Sequence, residues 1–216
     1  MTIDLYYSPG SAHCRAVLLT AKLLRVDLNL KHLDIPKKEQ LAPEFVKLNP
    51  QHTVPTLVDN GFVIWESNAI ITYLVENYGK DESLYPKDPK QRALIIQKLY
   101  FDQGTLYHRF ADYYYPIFLT NAIPDPAKHA KMEEAFKFLD TFLEGHEFVV
   151  GNNLTVADIP LIATVTTYEA SRFDLSPYKN VIGWYSRVKE VLPGFDEITG
   201  KEIMTKMYEP FFKTKK

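Results

Sequence analysis

Hydrophobic periodicity changes character once along this chain, and that change limits the fold more than any other feature. Up to about residue 80, short runs of β-formers alternate with stretches of helical spacing; beyond it only helical spacing persists. Ile3 to Tyr7 reads as a strand. Ser8-Pro9-Gly10-Ser11 is turn chemistry, and apolar residues then recur at helical intervals from Ala12 to Leu24. Asp27 to His32 reads as a second strand and Glu39 to Leu48 as a short helical stretch. Thr56 to Val58 and Phe62 to Trp65 flank Asp59-Asn60-Gly61, so they predict a hairpin. Ser67 to Tyr78 predicts a helix that Gly79 ends. The order is β-α-β-α-β-β-α, a small α/β layer. Pro86 and Pro89 interrupt a stretch without helical period, which reads as a linker over 81–89. Helices are expected over 90–120, 127–144, 155–172 and 178–191, with a last short piece near 196–206. The expected organisation is an α/β domain over 1–80, the linker, and an all-α domain over 90–216.

Composition narrows the function classes. Apolar residues make up 46 % and charged residues 24 %, the mix of a folded globular protein. The net charge of −2 is spread over both signs, which argues against a nucleic-acid surface or a polybasic membrane patch. The basic end, Lys213 to Lys216, reads as a solvated terminus. No apolar run of about 18 residues occurs, so no spanning helix is expected. Met1 is not followed by a basic and then apolar leader, so a cytoplasmic setting is expected. A single cysteine, Cys14, allows no intrachain disulfide and no cysteine-rich metal site.

The chemistry can be placed on the turns. Ser11 falls at the N-cap of the first helix, where serine contributes ~1 kcal/mol by satisfying orphan amides. The same position can hold an anion, because a helix start offers free N–H groups and positive partial charge. In Ser11-Ala12-His13-Cys14, serine occupies the place where a redox Cys-x-x-Cys would begin after a first strand. A hydroxyl there can donate to a thiolate supplied by a ligand, while a dithiol redox cycle is impossible. Cys14 reads as a small buried hydrophobe. Pro55 either starts a strand or forms a cis bond in a tight turn. A cis bond would leave the Val54 N–H and C=O facing outwards for an extended peptide. Ser67 is a natural N-cap, but the same helix start could hold a carboxylate while Glu66 takes an ammonium, the two ends of an amino-acid head group. Tyr107, Phe110, Tyr114 and Phe118 share one helical face, either as core or as a pocket wall.

Several of these segments, taken in order, resemble glutathione transferases of the insect delta class. They are Ser-Pro-Gly-Ser at 8–11, Asn-Pro-Gln-His-Thr-Val-Pro-Thr-Leu at 49–57, Trp65-Glu66-Ser67, the run from Leu99 to Tyr107, and Asn-Leu-Thr-Val-Ala-Asp at 153–158. The likeness covers nearly the whole chain. It implies a thioredoxin-like N-terminal domain joined to an all-helical C-terminal domain. By resemblance, Ser11 holds the glutathione sulfur, and Gln51, His52, Thr53, Val54, Pro55, Glu66, Ser67 and Asn68 contact the tripeptide. Within that set, His52 faces the glycine carboxylate, the Val54 backbone pairs with the cysteinyl unit, and Glu66 and Ser67 hold the γ-glutamyl head. The resemblance also implies a homodimer in which Asp102 reaches the neighbour's glutathione. The electrophile pocket is expected from His13, Tyr107, Phe110, Tyr115 and Phe118, with Phe211 or Phe212 as a lid. Pro116 is expected to turn Tyr115 from its regular helical direction. Glutathione is the expected co-substrate and small apolar molecules the expected electrophiles, with no separate cofactor, metal, nucleic acid or membrane.

Two positions depart from the family pattern: Asn68 where arginine is usual, and His13 where proline is usual. His13 reads either as a wall of the electrophile entrance or as a surface histidine without a role. The alternative reading is a non-catalytic protein that binds glutathione or hydrophobic ligands on the same fold.

Overall fold

The computed structural model describes residues 2–213. Thr214 to Lys216 of the basic end lie outside the described residues, and Lys213 ion-pairs with Glu209.

The first strand, β1 (Ile3–Tyr7), leads through the turn at Ser8 into α1 (Ala12–Leu24) and then β2 (Leu28–His32). A short 3-10 turn over Glu39–Leu41 and α2 (Pro43–Leu48) follow. Next come β3 (Thr56–Asp59), β4 (Phe62–Trp65) and α3 (Ser67–Tyr78). The four strands order as β2-β1-β3-β4, with β1 parallel to β2 and the other neighbours antiparallel. Asn60 and Gly61 both take positive φ, 49° and 86°, which is the geometry a two-residue hairpin needs to match strand twist.

From Pro89 onward the described chain forms helices. Pro89 sits in the first turn of α4 (Pro89–Phe101), where its missing N–H is harmless, and Asp88 caps it by accepting from Gln91 N–H at 2.9 Å. A π-helical turn over Asp102–Leu106 joins α4 to α5 (Tyr107–Thr120). The long helix therefore runs through one register shift. The remaining helices are α6 (Pro126–Phe142), α7 (Asp158–Ala170), α8 (Lys179–Val191), α9 (Phe195–Ile198), α10 (Lys201–Tyr208) and α11 (Pro210–Lys213). Pro116 lies inside α5, which continues past it to Thr120.

Helix α7 is buried on all sides, as its nearly unbroken apolar run requires. Its start is held by Asp158, which accepts from the backbone N–H and the hydroxyl of Thr155 at 2.8 and 3.0 Å. The other carboxylate oxygen of Asp158 accepts from Val149 N–H and from the Trp184 indole at 2.9 and 2.8 Å. This is half of a capping box, extended to fix a neighbouring loop and α8. Helix α1 packs between α3 and α7 and so belongs to both layers.

Arg15 on α1 shows how that junction is made. It is fully buried, and among the described residues its hydrogen-bond partners include no carboxylate. Its guanidinium donates to the hydroxyls of Thr166, Thr167 and Thr199 and to the Ala163 carbonyl. Burial lowers its pKa to about 10, so it stays charged at neutral pH.

Candidate active site

The end of β1 and the start of α1 set Ser11 at the N-cap, with Ser11 N–H donating to the Ser8 carbonyl at 3.1 Å. Its Oγ accepts from Cys14 N–H at 3.3 Å. The acceptor side of the hydroxyl is thus engaged by the helix, and its proton is the part that can be offered to a ligand. Cys14 beside it is fully buried, and burial pushes its thiol up to about 11. It is therefore no nucleophile at neutral pH.

The loop before β3 is organised by a residue the sequence reading passed over. Asn49 is fully buried and donates to the Thr53 carbonyl and to the hydroxyls of Thr53 and Thr56, at 3.1, 3.1 and 2.9 Å. Its carbonyl oxygen accepts from Gln51 N–H at 2.9 Å. The signal for it was the Asn-Pro pair, a turn initiator. This scaffold holds His52 at φ 46° and the Val54-Pro55 bond in the cis form, the second of the two options left open by the sequence. Val54 lies outside the strand pairing, and its N–H and C=O have no hydrogen-bond partner among the described residues.

At the far end of the hairpin Glu66 takes φ 69°, an uncommon conformation for a residue with a Cβ, and serves as N-cap of α3 without a side-chain bond to the helix. Ser67, expected as that cap, is the first helical residue instead and is nearly buried. Its hydroxyl is not used to cap the helix. Glu66 accepts from the side-chain amide of Gln103 at 3.0 Å.

These groups line two adjoining hollows. The larger, about 500 Å³, is bordered by Ser11, His13, His52, Val54 and the rings of Tyr107, Tyr115, Phe118 and Phe211, among others. The smaller, about 190 Å³, is bordered by Thr53, Val54, Pro55, Glu66, Ser67 and Gln103. His13, Thr53 and Val54 border both, so the two are lobes of one cleft, one mainly apolar and one polar.

Helix geometry explains the make-up of the apolar wall. At about 100° per residue, Tyr107, Tyr115, Phe118 and Leu119 fall on one side of α5, while Phe110 and Tyr114 fall on the next. Phe110 therefore goes into the core, packed against Tyr114 and Tyr168 at 4.8 and 5.1 Å, and does not border the cleft. The face expected to hold all four rings is divided between core and pocket. Phe211 stacks on Phe118 at 4.6 Å and borders the cleft, while Phe212 meets Phe118 edge-on. Leu119 at the end of α5 and Met207 and Tyr208 on α10 also line the larger lobe and were missed, because nothing local in the sequence brings α10 up to α5.

His13 is not a surface histidine. Its ring packs on Tyr107 at 4.2 Å, its Nε2 is buried without a partner, and burial followed by the charge of Arg15 lowers its pKa to about 4. It is neutral at physiological pH and a poor base for a thiol.

Three further expectations are displaced. Gln51 is exposed, accepts from the Trp65 indole at 2.5 Å and borders neither lobe. Asn68 donates to the Leu99 carbonyl at 3.1 Å and lines an adjoining groove between α3 and α4, which meets the polar lobe at Glu66 and Gln103. Asp102 is fully buried, where burial, opposed only by the Thr164 hydroxyl, raises its pKa to about 7. Its carboxyl is therefore enclosed by its own chain and borders neither lobe. The π-helical turn directs Asp102 inward, and the next residue, Gln103, is the one that meets the polar lobe. Among the described residues, no group of three or more His, Cys, Asp or Glu side chains could hold a metal ion.

A mixed four-stranded sheet with a cis-proline loop, a serine at the first helix start and an attached helical layer define a thioredoxin-like thiol-binding site with an apolar annex. Comparison with known proteins agrees. Residues 5–83 match the glutathione S-transferase N-terminal domain and residues 110–190 its C-terminal domain. A solved delta-class glutathione transferase of Nilaparvata lugens is 55 % identical, with 97 % of this chain and 99 % of that one covered and a TM-score of 0.93. A Bombyx mori glutathione transferase is 48 % identical, with 98 % of each chain covered and a TM-score of 0.93. An epsilon-class enzyme of the housefly Musca domestica is 36 % identical, with 97 % and 98 % covered and a TM-score of 0.90. The chain belongs to the glutathione S-transferase family, and it is an enzyme of that family, transferring glutathione.

Proposed function

We propose that this enzyme joins the glutathione thiolate to small apolar electrophiles in the two-lobed cleft, with Ser11 as the catalytic donor to the sulfur. The observation that carries the reading is the position of Ser11: its oxygen caps α1 and its hydroxyl borders the apolar lobe. Val54 offers an unpaired N–H and C=O to the cysteinyl unit, Glu66 and Ser67 face the γ-glutamyl head, and His52 lies on the glycine side. Gln103 supports Glu66 from within the same chain.

The energetics assign shares to each part. A free thiol of pKa ~8.5 is only a few per cent ionised at neutral pH. Lowering that value by ~2 units takes ~2.7 kcal/mol, which a helix start plus one hydroxyl can supply. The thiolate fraction then rises ~25-fold, but nucleophilicity falls with pKa by a slope of ~0.4–0.5, returning ~6–10-fold of it. Activation of the sulfur is thus a few-fold, and most of the acceleration comes from holding both reactants in one cleft. Glutathione enters as co-substrate, and no separate cofactor is called on. Conjugation of a simple aryl halide, assayed on the wild type and on Ser11→Ala, tests the reading. Unchanged turnover in the variant removes Ser11 from the mechanism.

The proposed working form is a cytoplasmic homodimer, with the glutathione domain ending at residue 80 and the helical domain starting at 90. Support comes from apolar side chains left open along β4 and α4: Phe62, Leu94, Ile96 and Tyr100, the last 72 % exposed. Phe101, also expected to be spare, instead packs edge-on against Phe142 at 5.0 Å within the chain. Clustered exposed aromatics mark interfaces. Sedimentation equilibrium should give twice the 25.0 kDa chain mass; a single-chain mass with full activity rules the dimer out.

A further inference from the structure

One polar side chain where the two lobes meet has no part in the binding mode described so far. A tripeptide with its γ-glutamyl head at Glu66 and Ser67 and its sulfur at Ser11 has to cross from the smaller lobe to the larger, and His13, Thr53 and Val54 border both. Val54 is apolar, and the Thr53 hydroxyl accepts from the Asn49 amide at 3.1 Å. His13 is the one of the three whose side-chain polar atoms are unspent. Its Nε2 is enclosed without a partner. Its Nδ1 also has no hydrogen-bond partner among the described residues, but it is not enclosed, and the open space beside this ring is the cleft. A neutral imidazole carries one proton on its two nitrogens. A buried N–H without an acceptor is rarer in folded proteins than a buried acceptor without a donor. The proton therefore belongs on Nδ1, and Nε2 keeps a bare lone pair. The ring is held by Tyr107 at 4.2 Å and by its place in the first turn of α1, two residues after Ser11. Burial, followed by the charge of Arg15, lowers its pKa to about 4, so at neutral pH it offers an N–H and does not act as a base.

We infer that His13 is a second catalytic hydrogen-bond donor to the glutathione sulfur, its Nδ1–H converging with the Ser11 hydroxyl on the same thiolate. The inference rests on the conjugating reading above. A proline at this position would offer no side-chain donor, so the second donor belongs to the histidine that this chain carries there.

The step balances without a further reactant. The S–H bond of glutathione breaks, its electron pair stays on sulfur and its proton goes to water; His13 keeps its own proton throughout. The sulfur pair then forms the bond to the electrophilic carbon, and with an aryl halide the halide departs with the carbon–halogen pair. As charge leaves the sulfur, the hydrogen bonds to it weaken, so His13 favours the thiolate over both the thiol and the product. Its effect therefore appears in how much thiolate is present at a given pH. The reaction of that thiolate is slowed in part, because nucleophilicity falls with pKa.

The test is a pH titration of glutathione bound to wild type, His13→Phe and His13→Asn, read by the ultraviolet absorbance of the thiolate. Phenylalanine keeps a flat ring against Tyr107 and removes both nitrogens. Asparagine places an amide N–H close to the position of Nδ1 and does not titrate. His13→Phe should raise the pKa of the bound thiol by about 1 unit, a ~10-fold smaller dissociation constant, as expected for one lost hydrogen bond to a charged acceptor. His13→Asn should recover most of that change. S-methylglutathione has no thiol to ionise, and its affinity should stay within ~2-fold of wild type in both variants. An unchanged thiol pKa in His13→Phe overturns the donor role. An equal rise in both variants also overturns it, because the effect then comes from the ring and not from the N–H. A loss of S-methylglutathione affinity as large as the loss for glutathione makes His13 a contact of the peptide and overturns its role at the sulfur. A wild type that binds glutathione without forming thiolate overturns the conjugating reading itself.

Discussion

The side-chain amide of Gln103 donates to the carboxylate of Glu66 at 3.0 Å, tying the π-helical turn of the long helix to the start of α3. Glu66 carries positive φ, so its side chain is aimed by a backbone that few residues adopt. Gln103→Ala should weaken glutathione binding about 5-fold, the equivalent of about 1 kcal/mol for one hydrogen bond. Calorimetric titration checks it. Equal affinity would show that Glu66 needs no support to face the ligand.

The observed cap and the proposed thiolate donor coincide at Ser11, and substitution can separate them. Ser11→Ala removes the cap and the thiolate donor together, so stability should drop by ~1 kcal/mol and turnover by at least ~10-fold. Ser11→Asp keeps a capping oxygen while bringing a negative charge to the sulfur. It should unfold in urea near the wild-type midpoint and yet be inactive. An active Ser11→Asp enzyme would contradict the donor role.

Two buried groups give opposite pH dependences. Asp102 has a folded pKa raised from 3.8 to about 7, so its contribution to stability is full below pH ~4 and is lost as pH rises through 7. His13 has a folded pKa lowered from 6.5 to about 4, so its contribution is full above pH ~6.5 and is lost as pH falls through 4. Between those limits the two slopes oppose one another. Asp102→Asn should therefore be more stable than wild type at pH 8 and lose that advantage at pH 4. Urea unfolding at the two values decides it; an advantage that does not depend on pH would assign the effect to packing alone.

Asn68 faces the Leu99 carbonyl and not the polar lobe. Asn68→Ala should leave glutathione affinity within ~2-fold of wild type while lowering stability by about 0.5–1.5 kcal/mol through the lost bond. A large loss of affinity would return this position to the binding site.

The fold was legible because its signals are local. Asn60-Gly61 names the hairpin turn, Asp88-Pro89 opens the long helix, and Thr155 with Asp158 opens the buried one. At the site, the place of Ser11 at the N-cap and the turn at Val54-Pro55 were legible for the same reason. What failed was register and direction. Asp102 and Gln103 exchange places because a π-helical turn carries no local pattern that would announce an inserted residue. Phe110 and Phe118 looked equivalent because a stripe shows spacing but not which of its two flanks meets solvent. Asn68 could be judged only by what lay opposite, the end of α4, thirty-one residues further on. Arg15, the least expected buried residue, was invisible for the same reason: its acceptors stand about 150 or more residues away.

That arginine bears on how firmly Ser11 is held. Ser11 begins the helix of which Arg15 is the fourth residue, and Arg15 is clasped by neutral oxygens from α7 and from Thr199 after α9. An anchor built from a carboxylate would let go on acidification and weaken in salt. One built from hydroxyls and a carbonyl around a cation that stays charged to about pH 10, out of reach of counterions, does neither. The start of α1, and Ser11 with it, is thus referenced to the helical layer by a joint that ignores the ionic conditions of its surroundings. The spacing between the start of α1 and the helical layer is accordingly a constant of the fold, not a variable of the medium.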